Sequence, residues 1–501
     1  MCSQFQSETD TEIFAHLIQN ALDKATVNSE CDFIAVVQEA LLPIEGNYAL
    51  GILNVQYPDQ LLFIRQGSPL IIGLGDDACF AASDIPAILS YTRRMLVLED
   101  GDIAQLTRKG VLVYNSNGDE VQRPISTISW DPIRAEKGGY PHFMLKEIHE
   151  QPRAISDTLA GRLSSEQGRV YFETAFVPDD IILNIDRVLI IACGTSFHAG
   201  LTSCYDYERI LGIPTSAEFA SEFRYRNPIL NDKTLVIAIS QSGETADTLA
   251  AVDLAKQKGA TVLSVCNMIE STIVRASDYV IYTHAGPEIS VASTKAFVTQ
   301  LVSLQLILLY IGKNRGILRK KELQTLTQDL LHLPTVASNL LSSEQQIQHI
   351  ARRYAYAQNM LYLGRDIHYP LAMEGALKLK EISYIHAEAY PAGEMKHGPI
   401  ALIDKDVPVF FIIHASSVRE KVIANMEEIK ARDGKIIALT LPQDEEVKRV
   451  ADHVIEVPSI SPHVDSILLS IPLQLFAYYV AVHRGTDVDQ PRNLAKSVTV
   501  E

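Results

Sequence analysis

The chain has 501 residues, 47% of them hydrophobic, and 61 acidic against 44 basic side chains give a formal charge of −17. That length suits about three domains of ~150 residues with substantial cores, and the acidic balance argues against nucleic acid as a partner. Six cysteines (Cys2, Cys31, Cys79, Cys193, Cys204, Cys266) lack Cys-x-x-Cys spacing, no apolar run approaches ~20 residues, and no signal peptide precedes the first helix. These features argue against zinc, a disulfide framework and a membrane, and fit a cytoplasmic protein. Taken in order, helical periodicity appears at 12–25 and 32–42, followed by strand-like segments at 48–55, 61–65 and 103–107. A linker at 129–153 carries Lys137-Gly-Gly-Tyr and the only tryptophan, Trp130, read as a packing residue.

Two strand-turn-helix units follow. Leu189-Ile-Ile-Ala-Cys-Gly194 leads into Thr195 and Ser196, and Leu235-Val-Ile-Ala-Ile-Ser240 leads into Gln241-Ser-Gly-Glu-Thr245. Each apolar strand ends in a hydroxyl-rich turn that opens a helix, so the first amides and the hydroxyls face one anion. A single example could be an N-cap; two in a doubly wound pattern favour a sugar phosphate. Neither Gly-x-x-x-x-Gly-Lys-Ser/Thr nor Gly-x-Gly-x-x-Gly occurs, so neither ATP nor NAD is indicated, and no cofactor is expected.

The pattern then repeats. Met360-Leu-Tyr-Leu-Gly-Arg, Val409-Phe-Phe-Ile-Ile-His and Lys435-Ile-Ile-Ala-Leu follow their counterparts at 189, 235 and 261 by about 170–175 residues. Helices at 248–257 and 418–432 alternate with these strands, so each copy reads as a parallel doubly wound sheet. The second copy has Ala415-Ser-Ser-Val-Arg in place of the hydroxyl-rich turn, which leaves phosphate binding to the first copy. Within Glu374-Gly-Ala-Leu-Lys-Leu-Lys-Glu-Ile-Ser-Tyr384, the residues Glu374, Lys378 and Glu381 share one helical face. His397 follows in a Gly/Pro-containing loop and Lys496 in an apolar tail. A carboxylate, a histidine and two amines can move a proton beside a carbonyl. A salt-bridged surface helix is the plain alternative for the helical trio.

From about residue 140 onward these segments, with Ala220-Ser-Glu-Phe-Arg-Tyr-Arg, Val291-Ala-Ser-Thr-Lys-Ala-Phe, Lys396-His-Gly-Pro and the Lys496-Ser-Val-Thr-Val-Glu terminus, closely resemble the glutamine–fructose-6-phosphate aminotransferase (glucosamine-6-phosphate synthase) family. The resemblance implies two tandem SIS-type α/β domains, expected at 181–325 and 350–488. They are preceded by a linker and helical lead-in at 129–180 and followed by a catalytic tail at 489–501. It implies that Thr195, Ser196, Ser240, Gln241, Ser242 and Thr245 bind fructose 6-phosphate, with Val291 and Ala495 lining the sugar. His397 opens the ring, Lys496 forms a Schiff base, Glu381 carries the proton between C1 and C2, Lys378 stabilises the enolamine and Glu374 supports His397. The apolar tail is expected to keep the Lys496 amine partly neutral.

Residues 1–128 resemble only the later part of the family's N-terminal glutaminase domain, an Ntn-type α+β fold. Ser7-Glu-Thr-Asp-Thr-Glu12 supplies Asp10 as the glutamine-binding aspartate, while the family's Cys-Gly-Ile start, loop arginine and Asn-Gly element have no counterpart, and Cys2 is not expected to be the nucleophile. The expected protein is a homodimeric, cytoplasmic sugar-phosphate isomerase and aminotransferase that makes glucosamine 6-phosphate with ammonia, glutamine use being doubtful. Two other readings stay open on the residues alone: a non-catalytic sugar-phosphate-binding SIS protein, and a truncated product with raw strand edges.

Overall fold

The computed structural model describes residues 5–25, 32–85, 87–128, 136–173 and 176–498; Cys2, Cys31 and Trp130 lie outside them. The described residues form two compact units, one within 5–128 and the other within 136–498. In the first unit, α1 (Glu12–Ala25) and α2 (Phe33–Leu41) precede β1 (Tyr48–Leu53), β2 (Gln60–Gln66), β3 (Ile71–Leu74) and β4 (Cys79–Ala82). β5 (Arg94–Val97), β6 (Ile103–Thr107), β7 (Gly110–Tyr114), β8 (Glu120–Val121) and β9 (Ile125–Thr127) complete it. The strands form two antiparallel sheets, β1-β2-β6-β7-β8 and β4-β3-β5-β9. Ile18, Leu22, Phe33 and Val37 of the helices pack on Leu50, Leu62, Ile64 and Ile103 of the first sheet. Ile72 and Leu96 of the second meet Ala104, Leu106 and Val113 of the first. β1 stops at Leu53 rather than continuing to Val55, because Asn54 starts a turn in which its carbonyl accepts from Tyr57 N and its side chain from Gln56 N.

The second unit opens with α3 (Phe143–His149), α4 (Gln151–Leu159), the ribbon β10–β11 (Leu163–Ser164, Arg169–Val170) and α5 (Asp179–Asn184). The first repeat contains β12 (Arg187–Ala192), α6 (Gly194–Asp206), β13 (Thr215–Phe219), α7 (Ala220–Phe223) and β14 (Thr234–Ser240). It continues through α8 (Ala246–Gln257), β15 (Thr261–Cys266), α9 (Thr272–Ala276), β16 (Tyr279–Tyr282) and α10 (Lys295–Asn314). α11 (Lys320–Leu341) and α12 (Glu344–Tyr354) lead to the second repeat. That repeat runs β17 (Asn359–Gly364), α13 (His368–Ser383), β18 (His386–Pro391), β19 (Pro408–Ile412), α14 (Arg419–Lys430), β20 (Lys435–Thr440), α15 (Glu445–Val450), β21 (His453–Glu456) and α16 (Asp465–Arg484).

Both sheets are parallel and share one strand order, β13-β12-β14-β15-β16 and β18-β17-β19-β20-β21. The three spaced strand pairs seen in the sequence occupy matching positions in the two sheets. One expectation fails here. α10 and α16 are each 20 residues long with a mean hydropathy of 1.5, enough by length and composition to cross a membrane. They are instead core helices, 94% and 89% buried over their apolar stretches. A helix covered on every side is apolar all round, whatever covers it. Phe297, Leu301 and Ile307 of α10 and Leu468, Leu475 and Phe476 of α16 belong to one continuous core.

Candidate active site

In each sheet the crossovers reverse direction beside the first strand, between β12 and β14 in the first repeat, and ligands of open α/β sheets bind outside the carboxyl ends at such a point. β14 is buried along its whole length and delivers Ser240 to that edge. Ser240 Oγ accepts from Gly243 N at 2.9 Å and lies 3.2 Å from Thr245 Oγ1, while Ser242 Oγ accepts from Glu244 N at 3.2 Å. Gly243 adopts φ +68°, and a Cβ there would stand 2.0 Å from Ser271 Oγ, so the turn needs glycine. Glu244 fastens the turn to α9, accepting from Thr272 N at 2.8 Å and Thr272 Oγ1 at 2.7 Å. Gln241, half-buried, completes the turn. The carbonyl of Val498 accepts from Ala246 N at 3.2 Å, so the C-terminal tail touches the start of α8.

The other hydroxyl turn reaches α13 directly. Gly194 (φ +51°) opens α6, and Thr195 Oγ1 donates to Glu374 Oε1 at 3.1 Å, while Ser196 Oγ accepts from Gln300 Nε2 at 3.0 Å. Glu374, 1% exposed, also takes His198 Nδ1 at 2.8 Å and faces Lys378 Nζ at 3.6 Å. Lys378 Nζ donates to Glu381 Oε2 at 2.5 Å. Burial alone would push the Lys378 ammonium down, but the carboxylates of Glu381 and Glu374, and Glu288 beyond them, outweigh it and raise its pKa. The plain alternative of a surface helix is thus excluded for Glu374 and Lys378, whose side chains are each 1% exposed.

Two site residues have surroundings the sequence did not suggest. The Glu374 carboxylate is held by His198, Thr195 and Lys378. His397 ends a 3₁₀ turn (Ala392–His397), is exposed, and makes no hydrogen bond among the described residues. Lys496 is also not in apolar surroundings. Its ammonium donates to Glu288 Oε2 at 2.6 Å and to the Ser290 carbonyl at 2.8 Å. Glu288 is fully covered and accepts as well from Thr294 N at 2.9 Å and Ala296 N at 3.0 Å. Burial opposes its charge, yet Lys496 and these donors hold its carboxyl below the usual range. Val291 is tied to the tail through its amide, which donates to the Asp489 carbonyl at 3.0 Å, and Ala495 is exposed beside Lys496.

His198, Glu288, Ser290 and Gln300 were missed by sequence reasoning. His198 had a usable signal, one turn beyond Gly194 and on the face of Thr195; Glu288 lies three residues before Val291. Asp10, in the other unit, is exposed on the turn entering α1, its carbonyl accepting from Ile13 N at 3.1 Å. Among the described residues no cluster of His, Cys, Asp and Glu could hold a metal ion.

Twin parallel sheets, hydroxyl turns at one switch point and a buried acid–amine helix define an enzyme of the tandem SIS class. The SIS domain family matches residues 181–310 and 343–484. The glutamine–fructose-6-phosphate aminotransferase [isomerizing] of Aquifex aeolicus (strain VF5) is 47% identical over 498 residues, 99% of this chain and 80% of that protein. An enzyme of the same name from Thermus thermophilus gives the same identity and the same coverage. The chain belongs to the glutamine–fructose-6-phosphate aminotransferase family. Among solved structures, the C-terminal domain of glucosamine-fructose-6-phosphate aminotransferase from Francisella tularensis is 40% identical with a TM-score of 0.68, covering 71% of this chain and 100% of that one. Glucosamine-6-phosphate deaminase from Thermotoga maritima, at 24% identity and a TM-score of 0.56 over 71% and 99% of the two chains, shares the fold.

Proposed function

We propose that this site binds fructose 6-phosphate and isomerises it, the phosphate resting on Ser240, Gln241, Ser242 and Thr245 with Thr195 and Ser196, and the sugar against Val291 and Ala495. The Lys496 amine attacks C2, expelling water as the imine forms, and its ammonium proton has Glu288 at hydrogen-bond distance. Ammonia then displaces the lysine amine from C2 by transimination, which frees Lys496. Glu381 removes the C1 proton of the resulting fructose 6-phosphate imine and returns it to C2, giving glucosamine 6-phosphate, and the Lys378 ammonium offsets the negative charge that develops between these steps. His397 shuttles the proton of ring opening. Glu374 orders Thr195, His198 and Lys378 rather than touching the sugar. The observation that carries the reading is convergence: Glu374 of the second repeat bonds Thr195 of the first, while tail residue Lys496 bonds Glu288.

With fructose 6-phosphate present, borohydride should trap Lys496, and Lys496→Ala should abolish both trapping and the formation of glucosamine 6-phosphate from ammonia. Trapping that survives the substitution refutes this role. The nitrogen donor is proposed to be ammonia or glutamine, with Asp10 a glutamine contact. Glucosamine 6-phosphate should form from fructose 6-phosphate and ammonium salt, and absence of that product would refute the reading. The enzyme is further proposed to be a cytoplasmic homodimer without a nucleic-acid partner, in keeping with its −17 charge.

A further inference from the structure

Glu147 has no part in the chemistry above, yet it is 2% exposed and its carboxyl reaches the turn that holds Lys496. It lies on α3, and Oε1 accepts from Ile289 N at 2.6 Å and from Ser290 N at 3.2 Å, while Oε2 is buried without a partner. These two amides sit between the two groups that hold the lysine, the Glu288 carboxylate and the Ser290 carbonyl. The other half of the cradle also hangs from α3. Asp489, where the tail begins, accepts from Phe143 N at 2.9 Å and Met144 N at 3.0 Å, and its carbonyl takes Val291 N. One short helix thus fixes the tail that carries Lys496 and the turn that receives it.

We propose that Glu147 is a positioning residue for Lys496, holding the Ile289 and Ser290 amides so that the Glu288 carboxylate and Ser290 carbonyl aim the amine at the sugar. The assignment rests on the reading of Lys496 as the attacking amine. Charge fits the geometry. The groups that act on Glu147 are Glu288 on the turn, Lys295 on α10 and Lys496 on the tail; Lys146 on its own helix and Lys295 both pair with Glu150. Burial and Glu288 push the Glu147 carboxyl up to about 8 against the pull of Lys295 and Lys496. Near neutral pH it is therefore a neutral acid, whose carbonyl oxygen can accept both amides as a glutamine carbonyl can. Above that pH it adds a second negative charge near Lys496.

The test is borohydride trapping of fructose 6-phosphate on the full chain from about pH 6 to 9, read by mass on the C-terminal peptide, with Lys496→Ala as the blank. Glu147→Gln should trap within about 3-fold of the parent below about pH 8. Above about pH 8, where the parent's Glu147 carboxyl ionises, the variant should trap faster than the parent. Glu147→Ala should trap at least about 10-fold more slowly while binding sugar phosphate within about 2-fold of the parent, since the phosphate turn is untouched. Parental trapping by Glu147→Ala overturns the proposal, and so does a Glu147→Gln variant as impaired as the alanine variant. Should Glu147→Ala fail to fold, the Glu147→Gln profile decides: one superimposable on the parent's overturns the assignment. If the parent traps no more than the Lys496→Ala blank, the reading of Lys496 itself fails and this assignment falls with it.

Discussion

Glu374 offers the most direct test of how the two repeats are joined. Replacing it with alanine leaves the Thr195 hydroxyl and the His198 ring, both buried, without their shared acceptor, and leaves the Lys378 ammonium with Glu381 alone. Removing one partner of a buried pair costs about 3–5 kcal/mol, because the other charge stays buried. With an unfolding entropy of about 2.1 cal/mol/K per residue over Glu136–Val498, each kcal/mol moves the midpoint by a little over about 1 °C. Glu374→Ala should therefore lower Tm by about 4–7 °C in calorimetry at a fixed scan rate. Glu374→Gln, which keeps the shape and loses the charge, should fall between. A double-mutant cycle of Glu374→Ala with Thr195→Val should show a coupling of about 1.5–3 kcal/mol, the range for hydrogen bonds to charged groups. A Tm change under about 1 °C, or an additive cycle, refutes the reasoning. A cycle in which Glu374 couples to His397 and not to His198 would restore the loop histidine as its partner.

Three further outcomes can be checked independently. Gly243→Ala forces φ +68° on a residue with a Cβ and drives that atom into Ser271, so KM for fructose 6-phosphate in steady-state kinetics should rise at least about 10-fold. Ser242→Ala removes one charge-assisted hydrogen bond to the phosphate, and the same assay should show KM raised about 10- to 150-fold, or about 1.5–3 kcal/mol; an unchanged KM places the phosphate elsewhere. The raised pKa of Glu147 stabilises the fold fully below about 4.5, and that contribution is lost as pH rises through about 8. The stability of the parent relative to Glu147→Gln should accordingly fall between about pH 5 and 8 by up to about 1.4 kcal/mol per unit, measured as the difference between their Tm profiles; parallel profiles refute the shift.

Much of the α/β unit is legible in the sequence because strands buried on both faces are written as unbroken apolar runs, as at 188–192 and 235–239, and the duplication sets them at equal spacing. The second sheet of the first unit is not legible. β3, β4 and β5 are four residues each, too short for alternation to separate strand from turn. The hydroxyl turns and the acid–amine face of α13 are local patterns, so spacing reveals them. The partner of a buried charge is not local: Glu374 meets His198 across 176 residues, and Lys496 meets Glu288 across 208. Periodicity shows which face of α13 is shared, while what touches that face is decided by how α6 packs against it.

The shared core of α10 and α16 also bears on how the chain is made. α10 leaves the ribosome well before its partner, since about 150 residues separate Asn314 from Asp465. At roughly 5–20 residues per second, α16 arrives about 8–30 s later. Throughout that interval the apolar side chains of α10 that face the later half of the core remain uncovered, a natural binding target for a nascent-chain chaperone. Synonymous changes that slow translation between the repeats would lengthen the interval without altering a single contact in the finished enzyme.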